Sequence, residues 1–285
     1  MSVIEFKEKF VAFVDVLGFK KLVETAEAGT GMALPELLEV LKQLGSPAER
    51  DKFARYGPTV CPDSAYHQRD LDFRLIQISD SVIISSEVSP AGVINFIHHC
   101  WGIVLRLLQH GMMCRGYITR GPIFHTDIQV IGSGYQTAYE KEGKVSVFKR
   151  EADERGTPFV EVDRVVCDYV GECEDWCVKE IFSRHVKDDG EVVALFPFQR
   201  LEHSVVIGGF GQKFDPEEEK RSNQNVRLMV QNLKERVMAF VDTSNPSAVK
   251  KAEHYIQALN TQLTVCNRTD ESISLLNLPL PLRRI

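Results

Sequence analysis

FVAFVDVLGFKKLVE, Phe10 to Glu24, sets one carboxylate in the middle of an apolar run. Residues 10–17 read as a strand, Gly18 breaks it, and Phe19, Leu22 and Val23 open a helix. A neutral polar group buried without partners already costs about 2–7 kcal/mol, and an anion costs more. Asp15 therefore needs a compensating group from elsewhere in the chain.

The second informative stretch is LDFRLIQISDSVIISSE, residues 71–87. Two β-prone runs flank Ser79-Asp80-Ser81, the signature of a tight hairpin. If the first strand pairs beside this hairpin, Asp15 and Asp80 meet at one edge. Two carboxylates so placed repel one another unless a divalent cation bridges them. Gly18, just past Asp15, lets the N–H groups at the following helix start approach phosphate oxygens.

Outward from these segments, residues 33–44 read as a helix and 45–69 as a polar connection. Residues 90–111 form a long helix with Gly111 at its C-terminal cap. CRGYITRGPIFHTDIQVIG, 114–132, suggests two strands around Gly121-Pro122, and 134–144 a short helix. VSVFKR, PFVEVD, EVVALFPF and HSVVIGGF follow as candidate strands, then amphipathic helices over 216–241 and 246–264. This order predicts a sheet with helices on one face.

The chain has 285 residues and a net charge of −6, which argues against a duplex nucleic-acid partner. Its N-terminus, MSVIEFKEKF, carries charge where a signal peptide would be apolar, and no apolar run approaches the length of a membrane span; a cytoplasmic protein is expected. The seven cysteines lack framework spacing and read as reduced core residues. Adjacent His98 and His99 do not share a helix face and read as structural. Gly208-Gly-Phe-Gly211 lacks the Lys-Ser/Thr of a phosphate loop and reads as a turn after a strand.

Phe13-Val-Asp-Val-Leu-Gly-Phe19, Ile78-Ser-Asp-Ser-Val82, Arg115-Gly-Tyr-Ile-Thr-Arg-Gly121 and Gly132-Ser-Gly-Tyr-Gln-Thr-Ala-Tyr-Glu140 occur in an order and spacing that resembles the class III nucleotidyl cyclases. More closely, they resemble the pyrimidine cyclases of the bacterial Pycsar antiphage systems. The resemblance covers roughly residues 8–145. It implies an α+β, ferredoxin-like catalytic fold of order βααββαββα, with a catalytic domain over 1–200 and a C-terminal extension over 201–285 packed on it or at a dimer interface.

It also implies an enzyme, a phosphorus–oxygen lyase that converts UTP to 3′,5′-cyclic UMP and pyrophosphate. CTP and cyclic CMP are the rival pair, and a degenerate nucleotide-binding or dimerisation module the alternative. By motif position Asp15 and Asp80 bind two Mg²⁺ or Mn²⁺ ions, and Leu17, Gly18 and Phe19 hold phosphates through the backbone. Arg115 and Arg120 are the candidates for transition-state charge, and Arg74, Arg120 and Tyr66 for substrate contact, with Tyr56 a second loop tyrosine able to stack on a base. The family works as a head-to-tail homodimer, and its diffusible product acts on a separate effector. The purine cyclases' helical Asn and Arg are replaced by Gln136 and Glu140, and their purine-selecting Lys falls near Arg74. Both departures favour the pyrimidine branch.

Overall fold

The computed structural model describes residues 4–45, 70–197 and 215–276. The chain begins with β1 (Lys7–Val16), α1 (Phe19–Glu27) and α2 (Leu34–Leu41), the last ending in a 3₁₀ turn. After 46–69, which lie outside the described residues, come β2 (Arg74–Ile78), β3 (Ser81–Glu87), α3 (Pro90–Gln109), β4 (Cys114–His125), β5 (Val130–Ile131) and α4 (Ser133–Glu142). Among the described residues the order is βααββαββα, the one expected. There follow β6 (Val160–Val162), α5 (Arg164–Glu172), α6 (Trp176–Ser183), β7 (Val186–Asp188) and β8 (Val193–Leu195). The helices α7 (Pro216–Phe240) and α8 (Pro246–Leu276) form an antiparallel pair.

The architecture is α+β, with one sheet in the order β2-β3-β1-β4-β6-β8-β7 and β5 added to β4. β1 is central, antiparallel to β3 on one side and β4 on the other. Its period-2 alternation divides the molecule. Phe10, Ala12, Val14 and Val16 enter the main core, which takes in α2, α3, α5, α6, α7 and α8. Phe13 joins Ile83 and Ala138 in a smaller cluster on the other face.

The expectation of helices on one face thus fails for α4. Its Tyr135 and Tyr139 stand edge-on to Phe13. That cover explains why β1 reads as a continuous apolar run rather than an alternating one: it is buried on both sides.

Gly121-Pro122 does not divide two strands, as expected from the sequence. β4 runs through it, and the chain turns at 126–129. On the outer side of β4, pairing with β6 ends at Ile118 and pairing with β5 begins at Phe124, so the proline ring interrupts no ladder there. Gly121 serves close approach instead, because a Cβ on it would stand 3.1 Å from the Gly134 Cα at the start of α4. VSVFKR is also not a strand; residues 145–150 turn, with Val145 and Val147 buried. HSVVIGGF, with the Gly208–Gly211 turn, and the boundary placed at residue 200 lie outside the described residues.

α3 is long and apolar enough for a membrane span, with mean hydropathy 1.4, yet 78% of that window is buried in the core. Ser89 caps it through the Gly92 N–H, and Pro90 occupies its first turn. His98 and His99 diverge as expected, His98 bonding to His185 at 3.0 Å and His99 lying edge-on to Phe73.

Candidate active site

Asp15 sits one residue before the end of β1, on the face that carries α4. In register it is flanked by Ser81 on β3 and Arg115 on β4. The Ser81 hydroxyl donates to Asp15 Oδ1 at 3.0 Å. The two-residue hairpin Ser79-Asp80 folds back at the same edge, where the Val16 N–H donates to the Asp80 carbonyl at 3.1 Å. Ser79 adopts a left-handed φ of 56°, a strained choice for a side-chain-bearing residue that brings Asp80 to the strand end. The two acids, 65 positions apart in sequence, are thereby brought together.

Burial pushes the Asp15 carboxyl up to about 6, with the Ser81 hydrogen bond opposing and the Asp80 charge adding to the rise. Among the described residues neither acid has an ion-pair partner. Arg115, the register neighbour of Asp15, is instead bound through Nε to Glu142 at the end of α4. The Arg115 charge eases Asp15 only in part, because its guanidinium is held by Glu142, and a divalent ion would fit the remaining negative charge. Among the described residues no group of three or more His, Cys, Asp or Glu is arranged to hold a metal. Two carboxylates, with further ligands from phosphate and water, suit Mg²⁺ or Mn²⁺ rather than a closed structural site.

The expected phosphate contact from Leu17 is not available, because its N–H donates to the Met113 carbonyl at 2.9 Å. Gly18 then takes a left-handed φ of 79°, and α1 starts at Phe19 with no side-chain cap and no acid in its first turn. An uncapped helix start with free N–H groups favours an anion.

The other predicted substrate residues are not all gathered here. Arg74 shares the Asp15 face, but its register row, through Ser85 to Val11, lies four residues up the strand, about 13 Å away. There it pairs with Asp127 at 3.2 Å and with Asp72 at 3.5 Å. Arg120 lies opposite Phe10, on the other face of the sheet, where it binds Glu8 and covers the Tyr169 ring. The structure does not bring it to Asp15. Gln136 and Glu140 are exposed on α4. Tyr56 and Tyr66 lie outside the described residues.

Glu142 and Ser81 were missed by sequence reading. Ser81 had a signal, since it adjoins Asp80 and is the residue that a two-residue turn sets opposite Asp15. Glu142 had none beyond its place on the helix that carries Gln136 and Glu140.

Arg115 and Glu142 have side chains only 18% and 12% exposed, so each depends on the other for charge balance. Arg115→Ala should cost about 2–3 kcal/mol, somewhat below a fully buried pair, because it strands Glu142 beside Asp15. The double variant Arg115→Ala/Glu142→Ala should recover most of that loss. Denaturant midpoints of the four proteins measure the coupling, and strictly additive losses would show that the pair does not act as a unit.

No family model matches the chain, and no curated protein matches it. Among solved structures, it is similar to the catalytic core of a rhodopsin-guanylyl cyclase with converted specificity in complex with ATPαS. The identity is 13% over 59% of this chain and 83% of that one, with a TM-score of 0.33. It is also similar to a bacterial light-regulated adenylyl cyclase, at 15% identity over 81% of this chain, with a TM-score of 0.36. The chain spans 59% of that second protein's length.

Proposed function

We propose that the protein is a metal-dependent nucleotidyl cyclase that converts UTP to 3′,5′-cyclic UMP and pyrophosphate in the cytoplasm, with the product a messenger for a separate effector in antiphage defence. The observation that carries this reading is the meeting of Asp15 and Asp80 at the end of β1, beside the uncapped start of α1. The motif resemblance supports the reaction class, and Arg74 and Glu140 at the purine cyclases' Lys and Arg positions support a pyrimidine base.

In this reaction the ribose 3′-oxygen attacks the α-phosphorus, its proton leaves, and the bond to the β-phosphate breaks to release pyrophosphate. A bound divalent ion would lower the 3′-hydroxyl pKa and neutralise phosphate charge. The protein's own part is to offer Asp15 and Asp80, which would hold that ion against the α-phosphate, and to take phosphate oxygens on the N–H groups of Gly18 and Phe19. Arg115 supports this edge through its hold on Glu142.

A head-to-tail homodimer fits the same face. Ile78, in register with Ser81, and Tyr139 on α4 are 52% and 57% exposed there, and Gln136 and Glu140 point outward toward a second copy. Glu140 also supports the second reading, a degenerate nucleotide-binding or dimerisation module, because a carboxylate does not stabilise developing negative charge.

Incubation of purified protein with each of the four nucleoside triphosphates and Mn²⁺ separates these readings. Cyclic UMP should be the main product, with cyclic CMP from CTP as the rival. A cyclic purine as the main product overturns the pyrimidine assignment. No product from any nucleotide leaves the module.

A further inference from the structure

Beside the β1–α1 turn lies a cavity of about 280 Å³. Three segments distant in sequence enclose it: the turn itself with Lys21, the α3–β4 junction at Met112, and the loop from α7 into α8 with Lys251. Gly18 is thus shared between the phosphate turn and this cavity.

The charges in the wall do not balance. Lys21 and Lys251 have no ion-pair partner among the described residues. Lys251 is half-buried, and burial together with nearby Arg115 holds its ammonium below the usual lysine range. An ammonium desolvated beside a second cation gains from an anion. Asp242 also lines the cavity and feels the Lys21 charge, but its carboxylate accepts first from its own loop, from the Ser244 N–H at 3.0 Å and from the Ser244 hydroxyl, so one acid faces two lysines. Asn245 caps α8 through the N–H groups of Ser247 and Ala248, so those donors are taken. The cationic donors that line the cavity are Lys21 and Lys251, beside the Gly18 turn.

The position of Lys251 links the cavity to the acidic edge. Its charge is felt with those of Arg115 and Glu142, and Asp15 feels the same two residues. Gly18, Lys21 and Lys251 line one cavity, so a phosphate chain leaving Asp15 and Asp80 past Gly18 would run toward the two lysines. We propose that this cavity receives the β- and γ-phosphates of the nucleotide, gripped by Lys21 from α1 and by Lys251 from the C-terminal helical pair. The assignment rests on the cyclase reading for the nucleotide, though not for the affinity toward polyphosphate. It makes the α7–α8 pair a wall of the substrate site, and it supplies from within one chain the cations that Gln136 and Glu140 do not.

The test uses inorganic tripolyphosphate, titrated calorimetrically into the full chain in EDTA at low salt. Lys21→Met and Lys251→Met should each weaken binding about tenfold or more, as expected for loss of a charge-assisted contact. Lys250→Met is the control, since Lys250 is paired outward with Glu151 at 2.7 Å, and should bind as the parent does. Absence of tripolyphosphate binding, or equal weakening in Lys250→Met, overturns the site. UTP should displace tripolyphosphate; failure to compete overturns the assignment to the nucleotide. In turnover, Lys251→Met should raise KM for UTP about tenfold; unchanged KM and kcat overturn the grip. Lysine-dependent tripolyphosphate binding in a protein that cyclises no nucleotide would leave the polyphosphate site standing and remove the cyclase reading.

Discussion

Asp15→Asn should lower the rate of cyclisation by about 10³-fold or more and, in the same protein, raise metal-free stability at neutral pH. The first effect follows from removing one of the two carboxylates proposed to hold the catalytic cation, at about 4 kcal/mol of barrier per 10³ in rate. The second follows from the cost of keeping that carboxylate in the fold. Burial and Asp80 raise its pKa from 3.8 to about 6, so the folded chain binds the proton more tightly than the unfolded one. Stability contributed by the protonated form is lost as pH rises from about 4 to about 6, and the penalty is complete above that. Two pKa units bound it at about 3 kcal/mol, and solvent screening of a half-buried group reduces it to about 1–2 kcal/mol.

Asn keeps the Oδ1 acceptor for the Ser81 hydroxyl, so the substitution removes charge with little change of shape. Unfolding midpoints in EDTA at pH 7.5 and pH 4 measure the difference: Asp15→Asn should exceed the parent at the higher pH and match it at the lower. With Mn²⁺ added, the melting temperature of the parent should rise and that of Asp15→Asn should not. A variant less stable than the parent at pH 7.5 would mean that the carboxylate already has a cationic partner.

Gly111→Ala should destabilise the protein by about 3 kcal/mol, where Gly18→Ala costs about 1 kcal/mol. The two glycines have nearly the same backbone, φ 78° and φ 79°. They differ in what a Cβ would meet. At Gly18 nothing lies within 4 Å, whereas at Gly111 the carbonyl oxygen of Arg236 stands at 2.6 Å and the Cβ of Phe240 at 2.9 Å. Left-handed strain is common to both positions, so the difference isolates the collision with the last turn of α7. Val230, Leu233 and Val237 of α7 are buried in the main core, and the helix has little freedom to retreat. Thermal unfolding of the two variants reads this directly, with a drop of roughly 6–12 °C expected for Gly111→Ala. Equal losses would show that α7 yields at no cost.

β1 and the Ser79-Asp80 hairpin were legible in the sequence because their signals are local: an apolar run ended by glycine, and a polar pair between β-prone runs. The meeting of Asp15 with Asp80 needed one further inference, that β1 lies beside the hairpin, and the motif spacing supplied it. Gly121-Pro122 misled because that pair usually marks a turn; its reason is the close approach of Gly134, a contact between segments that no local pattern encodes. The separation of Arg120 from Arg115 follows from parity, since residues five apart on one strand face opposite ways. That argument requires β4 to be continuous, which the expected turn, just beyond Arg120, did not contradict. Glu142 and Lys251 were invisible for a simpler reason. Each sits on a helix whose pattern shows which side is apolar, and neither pattern says what the polar side will meet.

The cavity wall joins Lys21 to Lys251, nearly the whole length of the chain apart. During synthesis the acidic pair, the hairpin and β4 all emerge well before α8 leaves the ribosome. On the proposed reading, a nascent or prematurely terminated chain would carry both acids yet lack the second lysine, and so would not grip triphosphate until translation is almost finished.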